Sequence, residues 1–192
     1  SAYYAYSCIS EMANGNIGHI MFNKYNFRNI KLDGSYNKGL INGLASIADP
    51  NIKLQVAGKY NIKRKLYDAT LNLEHLQPAV LGVKMADKEY TLNDIKVSAK
   101  NEGADSYLDM EAPFADLHVK GRYDYATLVQ SMTNMIASKL PTLPGIGKTS
   151  KKVHNDFTIQ AQITSTEILQ RMLGIPLQIA EPVYIDGNLS DN

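Results

Sequence analysis

Along most of this chain apolar and polar residues alternate with a period of two, as in strands that bury one face. One pattern (apolar, any, apolar, any, Gly, any, Tyr or Leu) recurs four times. It reads Ile30-Lys31-Leu32-Asp33-Gly34-Ser35-Tyr36, Leu54-Gln55-Val56-Ala57-Gly58-Lys59-Tyr60, Leu117-His118-Val119-Lys120-Gly121-Arg122-Tyr123 and Val183-Tyr184-Ile185-Asp186-Gly187-Asn188-Leu189. In each copy the apolar side chains share a face with the glycine, and Lys, Asp, Gln or His fall mostly on the other. Residues 67–73, 90–99 and 157–163 also alternate, and Asp49-Pro50-Asn51 and Asn101-Glu102-Gly103 suit the turns between runs. Strands are predicted near residues 2–9, 25–36, 40–48, 51–62, 66–74, 90–100, 105–111, 114–125, 155–163 and 181–190.

The period changes twice. Over residues 127–139, Leu128, Met132, Met135 and Ile136 fall on one helical face, and Pro141 and Pro144 end the run, which gives a helical insertion at about 127–143. Thr164-Ser165-Thr166-Glu167 reads as a capping box opening a short helix that closes at Gly174. Leu76-Gln77-Pro78-Ala79-Val80-Leu81-Gly82 is a weaker version of the same element. Glycine in mid-strand marks a bend, a bulge or a close backbone approach, so four in one register predict strands that bend at a common level. The expected fold is mainly β: a repetitive antiparallel, strongly curved, groove-like (taco-shaped) sheet, with two or three short helices packed on or capping its apolar face. Residues 1–192 are read as one β-rich repetitive segment of a larger protein, with pseudo-repeats around Gly34, Gly58, Gly121 and Gly187.

Composition narrows the function classes. The chain is 44% hydrophobic and 20% charged, the usage of an ordered domain. A net charge of +1 lacks the clustered basic excess of a nucleic-acid binder, so no nucleic-acid partner is expected. Lys63-Arg64-Lys65 and Lys148, Lys151 and Lys152 read as solvated turn tips. The single cysteine, Cys8, excludes an internal disulfide. No apolar run approaches a membrane span, and Ser1-Ala2-Tyr3-Tyr4 does not open a signal peptide.

Local chemistry is sparse, and the chain is read as not an enzyme, with no cofactor and no metal. Gly145-Ile146-Gly147-Lys148-Thr149-Ser150 resembles a phosphate loop, but Thr142 stands where that motif needs glycine, and no strand precedes it. His19, His75, His118 and His154 are scattered without zinc-ligand spacing. Glu102, Asp105, Asp109 and Glu111 cluster around a predicted hairpin and read as a solvated edge. The chain has 12 tyrosines and no tryptophan; several tyrosines lie on the glycine face, where cross-strand packing is their expected role.

Asp49-Pro50-Asn51-Ile52-Lys53-Leu54 with Val56-Ala57-Gly58-Lys59-Tyr60 resembles the Bacteroidetes branch of the TamB-type translocation and assembly module proteins, of the AsmA-like superfamily. So do Ile95-Lys96-Val97-Ser98-Ala99-Lys100-Asn101, Phe114-Ala115-Asp116-Leu117 with Gly121-Arg122-Tyr123-Asp124-Tyr125, and Ile175-Pro176-Leu177-Gln178-Ile179-Ala180-Glu181-Pro182. Leu128-Val129-Gln130-Ser131 and Lys139-Leu140-Pro141-Thr142-Leu143 are similar to that family's helix and its proline exit. The likeness spans roughly residues 25–190 and is one of strands and glycines rather than of a catalytic signature.

The resemblance implies a periplasmic segment of a parent protein anchored in the inner membrane and reaching towards the outer membrane. It would offer an apolar groove for phospholipid transport in outer-membrane biogenesis. Its partners would be phospholipid acyl chains and, through other parts of the parent chain, an outer-membrane BamA/TamA-like barrel protein. The groove candidates are Leu32, Tyr36, Leu54, Val56, Tyr60, Ile62, Leu117, Val119, Tyr123, Tyr125, Val183, Ile185 and Leu189. Two other classes fit the pattern: a scaffold or chaperone for outer-membrane β-barrel assembly and secretion that works by strand addition, and an extracellular β-solenoid glycan-binding or adhesin domain.

Overall fold

The computed structural model describes residues 10–22, 24–125, 127, 128, 131, 134, 155–174 and 178–190, with only the backbone for 10–13, 22, 169, 172 and 173. Ten antiparallel strands form one sheet whose spatial order follows the chain. They are β1 (Ser10–Phe22), β2 (Tyr25–Asn37), β3 (Leu40–Asp49), β4 (Ile52–Asn61), β5 (Leu66–Leu76), β6 (Leu92–Glu102), β7 (Asp105–Ala112), β8 (Ala115–Arg122), β9 (Asp156–Ile163) and β10 (Val183–Ser190). The sheet is open, with β1 and β10 as its two edges. The predicted strand at 2–9 lies outside the described residues. β1 takes an unanticipated place beside β2, because Asn14, Gly15, Asn16 and Gly18 break the alternation that would announce it.

The mainly β, antiparallel character is as the alternation requires, but the strong curl expected of the sheet is not shown. Only Gly121 of the four repeat glycines has a positive φ, +148°, whereas Gly34, Gly58 and Gly187 keep ordinary strand backbone. Nor do the four share one level. Gly34, Gly58 and Gly187 lie in a single cross-strand row, and Gly121 sits two pairs further along, between Ser106 and Phe157.

Helix is scarce among the described residues. Pro78–Leu81 forms a 3-10 turn closed by Gly82 at φ +80°, and Glu167–Leu173 a short helix closed by Gly174 at φ +67°. The expected capping box does not form. Thr164 donates its hydroxyl to the Pro113 carbonyl at 3.1 Å, the cap position passes to Thr166, and the Glu167 amide donates to Ser165 Oγ instead. Tyr125, Thr127, Leu128, Ser131 and Asn134 are helical, while Met132, Met135, Ile136 and the proline exit lie outside the described residues.

Two buried clusters hold the apolar face. The first joins Phe27, Ile30 and Ile52, with Ile47, Leu54, Leu76 and Leu81 packed against them. Local irregularities make it possible. Asn29 adopts φ +53°, a conformation asparagine tolerates, so Phe27 and Ile30 both turn inward. A bulge at Glu74 lets Leu73 face Leu54 and Leu76 face Ile52. The second joins Val119, Leu128, Phe157 and Ile159, flanked by Leu108, Leu117, Tyr123, Tyr125 and Leu189. Each such side chain contributes about 1.5–3 kcal/mol when removed from water.

Candidate functional site

Register alone assembles the candidate face. Leu32 pairs with Ala45, Ala45 with Val56, Val56 with Leu71, Leu71 with Val97 and Val97 with Met110. Met110 then pairs with Leu117, Leu117 with Ala161 and Ala161 with Ile185. This apolar row thus crosses nine strands, β2 to β10. Position by position, the opposite face carries Gln55, Asn72, Lys96, Glu111, Asp116, Gln162 and Tyr184.

The neighbouring row shapes that face. In the N-terminal half it runs Gly34, Gly43, Gly58, Ala69 and Ala99. In the C-terminal half it becomes Leu108, Val119 and Ile159 before ending at Gly187. Small residues leave a channel floor; large ones fill it. A row of Tyr36, Ile41, Tyr60 and Tyr67 walls the small-residue floor on one side, and Leu32, Ala45 and Val56 wall it on the other. The result is an open apolar trough of about 580 Å³ over β2–β5. Leu32 and Tyr60 remain 42% and 40% exposed there, whereas Val119, on the same face of β8, is only 2% exposed.

The other candidates divide accordingly. Leu54 adjoins the first cluster, and Leu189 packs against the second. Leu117 and Ile185 are half-buried in the central row, Val183 lies at the open edge, and Ile62 sits in the turn beyond β4. Tyr123 and Tyr125 follow β8 and close the trough at one corner. Tyr67 meets Tyr125 edge-on at 5.6 Å, Tyr125 meets Tyr123 at 5.2 Å and Tyr123 meets Phe157 at 5.8 Å. Tyr125 Oη donates to the Tyr107 carbonyl at 3.0 Å. Burial pushes the Tyr123 phenol up to about 12 and drives Tyr125 higher still, so both stay neutral at any physiological pH. Gly43, Ile41 and Tyr67 were not among the candidates. Folding residues 30–48 about the Lys38-Gly39 turn would have set Gly43 against Gly34, and Ile41 against Tyr36.

Among the described residues the polar side chains form short pairs along and across the strands. His118 Nδ1 lies 2.7 Å from Asp109 Oδ1, and Ser98 Oγ donates to Asp109 Oδ2 at 3.5 Å. The Ser98 hydroxyl thus meets the Asp109 carboxylate rather than the His118 imidazole. Glu102 is bound by Lys100 at 2.8 Å, and Glu111 stands across from Lys96. His75 Nε2 contacts the Pro50 carbonyl. Cys8, His154 and the 145–150 loop lie outside the described residues. Among the described residues no helix is long and apolar enough to cross a membrane.

Comparison with protein-family models, curated proteins and solved structures gives no significant match for the chain.

Proposed function

We propose that this chain is a lipid-handling segment whose sheet face, rather than a catalytic site, performs the function. Its trough would shield phospholipid acyl chains from water. The observation that carries this reading is the floor of Gly34, Gly43, Gly58, Ala69 and Ala99 beneath exposed Leu32 and Tyr60. Across β2–β5, at about 4.8 Å spacing, the floor of the trough is about 14 Å long, room for much of an extended acyl chain, and the row of small residues continues to Ala99. Apolar area gains about 25 cal/mol per Å² on leaving water, and a floor without side chains sets no specific pocket, so chains of different length fit equally. In this proposal the groove-like curl and the helices on the apolar face belong to the segment as it works in its parent protein. The resemblance to TamB-type proteins supports a periplasmic setting, with an inner-membrane anchor and a partner barrel in the outer membrane.

A second reading is favoured by the edges. β1 and β10 are the outer strands of the sheet among the described residues, and Tyr184 on β10 is 73% exposed. Such edges accept extended peptides by strand addition, as a scaffold for β-barrel precursors would. Native mass spectrometry separates the two. Co-purifying phospholipid is expected for the trough; its absence, together with tight binding of extended peptides, would leave strand addition.

A further inference from the structure

Two turns lie side by side at the tyrosine end of the trough. Residues 38–39 link β2 to β3, and residues 62–65 link β4 to β5. The Ile62 amide donates to the Gly39 carbonyl at 2.9 Å, and a side chain on Gly39 would touch Lys63. Lys38, Lys63, Arg64 and Lys65 are exposed, and none joins an ion pair among the described residues. No Asp or Glu occurs in residues 34–48 or 50–67. Of the nearby carboxylates, Asp68 stands opposite Lys59 and Glu102 binds Lys100, while Glu11 of β1 pairs with Tyr36 in register. The adjoining β6–β7 turn is acidic instead, with Glu102 and Asp105.

Large apolar side chains lie among these cations. Ile62 is 46% exposed, Ile41 41%, Tyr60 40% and both Leu40 and Tyr36 38%. Ordinary solvated turns carry the charge without the apolar area. A nucleic acid would neutralise the cations but leave the aliphatic groups in water. The surface of an anionic bilayer satisfies both: phosphates meet the cations, tyrosines sit at headgroup level, and Ile and Leu reach the acyl boundary.

We propose that this tip docks on the surface of a bilayer rich in anionic phospholipid. Docking requires neither a trough nor extraction of a lipid, so it goes beyond the carriage reading and can hold or fail separately.

The test is co-sedimentation of the full chain with phosphatidylcholine vesicles, with and without phosphatidylglycerol. Binding is expected only where phosphatidylglycerol is present, and it should weaken steeply as salt rises. Each cation near such a surface contributes about fivefold to partitioning, so Lys63→Ser, Arg64→Ser and Lys65→Asn together should lower it on the order of a hundredfold. Asparagine is chosen because Lys65 holds φ +55°. Ile41→Ser with Ile62→Ser should weaken binding while leaving its salt dependence unchanged. Failure of the wild-type chain to bind, equal binding to neutral vesicles, or undiminished binding by the triple variant with a wild-type circular dichroism spectrum would each overturn the proposal. Should the triple variant misfold, Lys38→Asn, which suits the φ of +47° there, and the salt dependence of the wild-type chain decide it. Phospholipid retained by the triple variant in native mass spectra reports on the trough alone.

Discussion

A β-carbon added to Gly121 would lie 2.6 Å from the α-carbon of Phe157, and it would also collide with the Asp156 carbonyl oxygen. Both obstacles are backbone, and φ at Gly121 is +148°. Gly121→Ala should therefore cost about 3 kcal/mol through strain and displacement of β9 from β8. Gly58 offers the contrast, since its added carbon would meet the Ala69 methyl at an ordinary 3.5 Å. Gly58→Ala should change stability by less than about 1 kcal/mol in either direction. Urea denaturation of the two variants checks both, and equal losses would refute the distinction.

That contrast shows where sequence stops informing. The alternation in residues 30–36 and 54–60 fixes which side chains share a face, and the structure pairs them through Ala45 and Ile47. The same pattern cannot show backbone angle, so four glycines looked equivalent, although only Gly121 among them has a positive φ and an added carbon at Gly58 or Gly187 would meet nothing closer than ordinary contact. It also cannot show what a row contains until strands are paired. Gly34 and Gly58 read as bends, yet with Gly43 between them they form the floor of a trough. Val119 read as groove and Leu128 as part of a helical face packed on the sheet, and the two share one buried cluster, so that part of the groove is filled.

Asp49 should make the sheet acid-sensitive. It is 4% exposed, and burial alone would raise its pKa. The Tyr25 hydroxyl and the amides of Asn51 and Arg28 donate to its oxygens and outweigh burial, so its pKa falls below the ordinary carboxylate range. A depressed value means stability present above the unfolded pKa of about 3.9 and lost as pH falls through the folded value. Asp49→Asn should thus cost about 1–2 kcal/mol near neutrality, and the gap to wild type should narrow in strong acid. Denaturant midpoints of both proteins across the acid range measure this; a gap that stays constant would count against it.

Asn155 ties the start of the helical excursion to β9. It is 2% exposed, donates to Ser131 Oγ at 2.8 Å and to Thr127 Oγ1 at 3.1 Å, and accepts from the Asp124 amide at 3.1 Å. Asn155→Ala removes these bonds in a buried place and should cost about 2–3 kcal/mol. Because Leu128 rests on the same anchor, hydrogen exchange at residues 124–128 and at Phe157 should accelerate before that at Ile30 and Ile52 in the other cluster. Uniform acceleration would show that the two clusters open together.

Val56 and Gln55 are neighbours in β4 on opposite faces, which allows one charge to be tested on either side of the same strand. Val56 pairs with Ala45 and Leu71 on the trough side, and Gln55 pairs with Ser46 and Asn72 on the polar side. Val119 is unsuitable for this purpose, since a carboxylate at a position 2% exposed would unfold the second cluster. Val56 is only half-buried, so Val56→Glu can keep its charge partly hydrated and the sheet can stay folded. An acyl chain lying over it would strip that hydration, at a cost of several kcal/mol for an unpaired carboxylate. Val56→Glu should therefore lower photocrosslinking of phospholipid to a probe at Ala45 by at least about tenfold, and Gln55→Glu should leave it unchanged. Circular dichroism and resistance to proteolysis establish that each variant is folded. Undiminished crosslinking in folded Val56→Glu would remove lipid carriage by the trough and move strand addition at β1 or β10 into its place.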